Sequence, residues 1–132
     1  MTQAFFVDQE LLEPVDVEDE AGIFTWCLDE GRLYGDTMIA AIFGLDPRLT
    51  VTGLPVSDYA DRIHAEDRPN VAALVSDAVR DGQPYRAEYR VIDPEGEAKW
   101  VVAFGRCFRD RTGNPKYYSG IIHPADGLLD GA

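Results

Sequence analysis

Cysteine is scarce in this chain: Cys27 and Cys107 are the only two among 132 residues. Two thiols cannot build a disulfide framework or a four-thiolate zinc site. No apolar run approaches about eighteen residues, so no helix is expected to span or insert into a membrane. No basic cluster followed by an apolar stretch opens the chain, so a secretory leader is not expected. Histidine occurs only as His64 and His123, too far apart in sequence to form a recognisable ligand pair. A glycine-rich phosphate loop, a nucleophile elbow and a paired-carboxylate motif are all missing. The expectation is a cytoplasmic protein that is not an enzyme and carries no metal.

Bases are also few, 12 Lys and Arg against 24 Asp and Glu, a net charge of -12. Such a chain repels nucleic acid and anionic lipid, so neither is expected as a partner. The imbalance is concentrated at one end, where residues 1–36 hold ten acids and one base, Arg32. An acidic leader either keeps a protein in solution or offers a handle to a basic partner. What remains is ordinary for a folded domain: 45% apolar and 27% charged residues, at a length that suits one domain.

Along the chain, residues 1–21 read as an acidic amphipathic segment in which Phe5, Phe6, Leu11 and Leu12 stand among carboxylates. GIFTWCL, DEG and RLYG read as a hairpin. Asp36 or Thr37 caps a helix that ends at Gly44. Residues 45–56, with Pro47, Gly53 and Pro55, read as irregular. Ser57 is expected to cap a short helix carrying Tyr59 and Ile63. Asp67 is expected to cap a longer one, where Val71, Leu74, Val75 and Ala78 form an apolar stripe that stops at Gly82. Three strands follow, separated by DPEG and DRTGN turns. The order of strand pair, helices and three strands is that of an α+β domain with an antiparallel sheet.

Several of these segments resemble the PAS domain family. GIFTWCLDEGRLYGDTMIAAIFGLD is similar to the opening of such a domain, and RIHAEDRPNV to the connection into its long helix. AEYRVIDPEGEAKWV resembles the next hairpin, and Asp110, Gly113 and Gly120 fit the last one. The resemblance covers about residues 22–123, with a tail from 124 to 132. The PAS subtypes of bacterial sensor histidine kinases and cyclic-dinucleotide enzymes are the most similar. It implies a five-stranded antiparallel sheet with helices packed on one face, preceded by the N-terminal helical or extended segment. The chain departs from the family at its end. Where embedded members carry an aspartate, an aliphatic residue and a threonine, this sequence has Pro124, Ala125 and Asp126. Together with Met1, this leads to the expectation of an intact, stand-alone sensory module that regulates a separate kinase or cyclic-dinucleotide enzyme by contact in two-component-type signalling.

The resemblance also turns Phe24, Trp26, Phe43, Tyr59, Ile63, Val75, Tyr89, Val91, Ala103 and Gly105 toward the interior. Ala103 and Gly105 are small residues beside large aromatics. They either leave room for a small-molecule ligand or let a helix pack closely. Trp100, Val102, Phe104 and Phe108 would then form an apolar stripe on the outer face of the sheet, where water should select polar residues. Phe5, Phe6, Leu11 and Leu12 of the same chain, or a second copy in a homodimer, are expected to cover it. No cofactor is expected. His64 reads as structural, and nothing around Cys27 or Cys107 matches the asparagine-cysteine-arginine setting of flavin-linked photosensors. A haem- or flavin-based redox, gas or light sensor is the alternative reading, followed by a small enzyme.

Overall fold

The alternating segment at the start forms strand β1 (Gly22–Cys27), and a tight turn leads into β2 (Arg32–Gly35). The structure is a computed structural model and describes residues 20–125. Helix α1 (Thr37–Phe43) follows. Asp36 is its cap: Ile39 N–H donates to Oδ1 at 3.0 Å, while Ile23 N–H donates to Oδ2 at 3.2 Å. One carboxylate therefore starts the helix and ties it to β1. Ile39, fully buried, rests on Gly22 and Gly35, where an added Cβ would lie 2.7 and 2.5 Å from its side chain. Only glycine permits this close packing of helix on hairpin.

Residues 45–56 are not irregular. They hold helix α2 (Pro47–Thr52) and a two-residue strand, β3 (Leu54–Pro55). Asp46 caps α2 by accepting from Arg48 N–H at 2.9 Å, and Pro47 suits its first turn. The helix buries only Thr50, so it has no apolar stripe to announce it. Helix α3 (Val56–Ala60) starts before Ser57, which lies inside it, and no side chain caps it. Helix α4 (Arg68–Asp81) ends at Gly82 as expected, with Val71 and Ala78 buried and Leu74 and Val75 partly so. Asp67 does not cap it, because its carboxylate is held elsewhere.

Strands β4 (Tyr85–Ile92), β5 (Ala98–Arg109) and β6 (Pro115–Pro124) complete the sheet. The order is β3-β2-β1-β6-β5-β4, antiparallel throughout. The sheet thus has six strands rather than five, the extra one being β3, too short to show an alternation. β6 extends through Pro124, and Ala125 N–H still donates to Trp100 O at 2.9 Å. Registers bring Phe24, Gly120, Gly105 and Tyr85 into one row across four strands, with Trp26, Tyr118 and Cys107 in the next. These rows face the helices. Phe24, Phe43, Tyr59, Tyr89 and Tyr118 fill much of the core between the two layers.

Candidate functional site

The helices do not fill the inner face of the sheet. Between α3, α4 and the strands lies a cavity of about 780 Å³ with a mainly apolar wall. That volume is in the range of small-molecule sites. Its floor is made of sheet residues placed by simple alternation, Phe24 and Trp26 from β1, Tyr85 and Tyr89 from β4, Ala103 from β5 and Tyr118 from β6. Its roof comes from Tyr59 and Ile63 and from Val71, Val75 and Val79 of α4. Tyr118 is an aromatic hub. Ring centroids of Tyr85, Phe24 and Trp26 lie 5.4, 6.2 and 6.3 Å from its own.

The polar groups of the aromatic side chains here differ in their partners. Tyr59 is satisfied, its hydroxyl donating to Leu33 O at 3.1 Å. The indole N–H of Trp26 and the hydroxyl of Tyr118 are buried away from the open space and have no partner among the described residues. Such groups normally find one, and leaving one unpaired costs about 1–3 kcal/mol. Burial holds the phenols in their neutral form, with Tyr85 pushed up to about 12 and Tyr89 well above the ordinary tyrosine value. Tyr118 is raised as well, by burial first and then by the neighbouring Tyr85. The wall is therefore uncharged at neutral pH apart from arginines at its edge.

Those arginines are already engaged. Arg68 donates from Nε to Ile63 O and from Nη2 to Asp61 O, both at 2.9 Å. Arg80 pairs with Asp77 at 2.8 Å and with Asp81 at 3.1 Å. Arg109 donates from Nη2 to Val79 O at 2.6 Å and from Nη1 to Gly113 O at 3.0 Å. It thereby laces the end of α4 to the β5–β6 hairpin. The exposed residues Ala72, Ser76 and Arg80 of α4, together with Arg109, mark the rim.

Eight of the ten residues expected to face a ligand lie on this wall: Phe24, Trp26, Phe43, Tyr59, Ile63, Val75, Tyr89 and Ala103. Val91 and Gly105 do not. Val91 bridges to Ile63, and Gly105 is covered by the ring of Tyr118, 3.0 Å from where its Cβ would stand. Sequence reasoning missed Tyr118 and Tyr85. Tyr85 shares the alternation of Tyr89 and could have been included.

Helix placement, strand order and cavity together match a known domain architecture. Residues 32–122 match the family described as PAS fold. The chain belongs to the PAS-fold family. A 65-residue stretch, 48% of the chain, is 37% identical to the methyl sulfide methyltransferase-associated sensor of Methanosarcina acetivorans, of which it spans 6%. The fold is similar to the N-terminal domain of a diguanylate cyclase with PAS/PAC sensor from Marinobacter aquaeolei, with a TM-score of 0.74 and 21% identity. That match covers 86% of this chain and 100% of the other. A sensory box histidine kinase/response regulator from Burkholderia thailandensis gives a TM-score of 0.71 at 22% identity, over 84% of this chain and 81% of that one.

In this PAS domain neither His64 nor His123 lines the cavity, and neither cysteine does. His64 is held in the loop before α4, where its Nδ1 accepts from Glu66 N–H at 3.1 Å. Cys27 and Cys107 are both buried and face opposite sides of the sheet, opposite Tyr117 and Tyr118 respectively. No group of three or more His, Cys, Asp or Glu among the described residues is placed to hold a metal ion. Nor is any described helix long and apolar enough to cross a membrane.

On the outer face of the PAS sheet, Trp100, Phe104 and Phe108 are 41%, 39% and 43% exposed. Val102, expected among them, is fully buried between Glu88 and His123 of the neighbouring strands. An arginine lies over each exposed ring: Arg90 over Trp100, Arg86 over Phe104 and Arg106 over Phe108, at 5.2, 5.8 and 4.6 Å. Phe5, Phe6, Leu11 and Leu12 lie outside the described residues.

Proposed function

We propose that this PAS domain is a sensory module of signal transduction that binds a small molecule between α4 and the sheet. It passes the event to a separate signalling protein by contact. The cavity of about 780 Å³, with its mainly apolar wall, is the observation that carries the reading. A purely structural core would be closed over the sheet to the density of other interiors. The relative named as a sensor, and the similar folds taken from a diguanylate cyclase and a histidine kinase, support signalling as the setting. A kinase or cyclic-dinucleotide enzyme is the proposed partner, in the cytoplasm. The aromatic outer sheet face is the proposed contact surface, used also in a homodimer.

No catalytic role is proposed for any residue. A haem would need an axial ligand and a flavin adduct a thiol, and the cavity wall has neither a histidine nor a cysteine to provide one.

Native mass spectrometry of the full chain, purified without denaturation, tests the reading. A non-covalent adduct below the kilodalton range is expected on the wild type. Ala103→Leu, which puts bulk on the cavity floor, should remove the adduct and leave the domain folded. An adduct that persists in the folded variant would place the ligand elsewhere. A wild-type protein that stays ligand-free and takes up no compound from a small aromatic library would overturn the proposal.

A further inference from the structure

We infer that the free edge of β4 pairs with the same edge of a second copy, antiparallel and centred on Ala87, and so continues the sheet across two chains. This contact is independent of the small-molecule reading and separate from the outer-face contact proposed above.

Backbone hydrogen bonding points to this edge. β4 ends the sheet, with β5 on one side only. In an antiparallel strand alternate residues turn their N–H and C=O to opposite sides. Arg90 and Ile92 turn theirs away from β5, and the loop before α4 meets them. Asp67 Oδ2 accepts from Arg90 N–H at 2.8 Å, Arg90 O accepts from His64 N–H at 2.9 Å, and Arg62 O accepts from Ile92 N–H at 2.7 Å. Arg86 and Glu88 have the same parity, and among the described residues nothing bonds to their N–H and C=O groups. These four open groups at a sheet edge are a template for another strand.

The register follows from what the edge offers. Only outward-turned residues can be set opposite each other. Centring on Arg86 sets that arginine against itself and brings Glu88 opposite Pro84, which has no N–H. Centring on Glu88 sets two carboxylates together and calls on Arg90, whose backbone is already bonded. Centring on Ala87 places Arg86 of each copy opposite Glu88 of the other. Every open group on both copies is then paired. The side chains agree with this register. Arg86 and Glu88 lie 3.4 Å apart on one strand, so two copies form a ring of alternating charge. Charges on an edge ordinarily keep strands apart, but this pair is self-complementary. Ala87, small and buried, stands at the centre. The two-fold axis runs normal to the sheet, so both outer faces lie on one side, where a single partner meets both.

The full chain, between about 10 µM and about 1 mM, tests the inference by sedimentation equilibrium and amide exchange. The contact is small, so dimers are expected in the upper part of that range. Exchange of the Arg86 and Glu88 amides should slow several-fold as the dimer fills. The Arg90 amide, bonded within its own chain, should not change. Arg86→Glu and Glu88→Arg should each weaken association about tenfold, and circular dichroism checks that both fold. Mixed together, the two variants should associate at least as tightly as the wild type, because every pair between copies is then opposite in charge. A chain that stays monomeric overturns the inference, as does a dimer whose Arg86 and Glu88 amides keep their monomer rates. Protection of those amides at every concentration would put another part of the same chain on the edge and overturns it too. A mixture that associates no better than either variant alone rules out the Ala87 register.

Discussion

Asp67 binds Arg90 across 23 residues of sequence, with Nη2 and Nε of the guanidinium 2.8 and 3.0 Å from its carboxylate oxygens. The Arg90 backbone N–H adds a third bond, at 2.8 Å to Oδ2. The residue in front of α4 thus fastens the cavity's helical wall to β4. Arg90 holds the carboxyl of Asp67 below its ordinary range, chiefly through the side-chain hydrogen bond. A lowered folded-state value gives stability that is fully present above the unfolded value. That stability is lost as pH falls through the folded one. Asp67→Asn should therefore lower Tm by roughly 4 °C at neutral pH. The gap from wild type should close below about pH 4. Equal losses at pH 7 and pH 3, followed by circular dichroism, would show that the pair contributes no charge-dependent stability.

The same pair shows where local sequence rules stop. An aspartate before a helix reads as a cap, and nothing within a few residues of Asp67 points to a partner on β4. Asp36 behaves as the rule says because its partners, Ile39 and Ile23, belong to the adjoining helix and strand. Alternation was enough to place Tyr89, Ala103 and Trp26 on the inner face, since each stands in a strand with clear parity. It failed for Tyr118 because Tyr117 precedes it, and either tyrosine could have faced the helices. The short α2 and β3 bury too little apolar surface to leave a period. Small residues at 103 and 105 looked equivalent, yet only Ala103 meets the cavity, because the Tyr118 ring settles over Gly105.

Tyr118→Phe tests the buried hydroxyl in the ligand-free protein. The hydroxyl is buried and unpartnered, so removing it deletes a desolvation cost and no hydrogen bond. The phenylalanine variant should be more stable by about 1 kcal/mol in urea titration, with an unchanged m-value. Stability falling by that amount would mean that the hydroxyl is satisfied in solution.

Arg109 laces the rim through the carbonyls of Val79 and Gly113. Arg109→Ala should loosen the end of α4 against the hairpin without touching the floor of the cavity. Amide exchange should quicken around residues 79–82 and 110–114. Exchange confined to its wild-type rates would show that the rim is held by packing rather than by this arginine.

The outer sheet face sets the last expectation. Trp100, Phe104 and Phe108 keep about two-fifths of their surface exposed and each carries an arginine; Arg90 is paired with Asp67 and Glu66 and Arg86 with Glu88, which leaves Arg106 without a carboxylate partner among the described residues. Residues 1–21 hold seven acids and no base, interleaved with Phe5, Phe6, Leu11 and Leu12. The apolar side chains of the two are complementary, and Arg106 adds one cation for the acids to meet. Burial of large apolar side chains supplies roughly 1.5–3 kcal/mol each, and opposite charges bring the surfaces together at low salt. We propose that this segment covers the face, on its own protomer or on a second one, and competes there with a signalling partner. Deleting residues 1–20 should raise binding of a hydrophobic dye and change the mass in solution. Charge attraction adds a distinguishing mark: in the full-length protein, 0.5 M salt should reproduce part of the rise in dye binding. A truncated protein with the dye binding, solution mass and Tm of the full chain would mean that residues 1–20 do not cover the sheet.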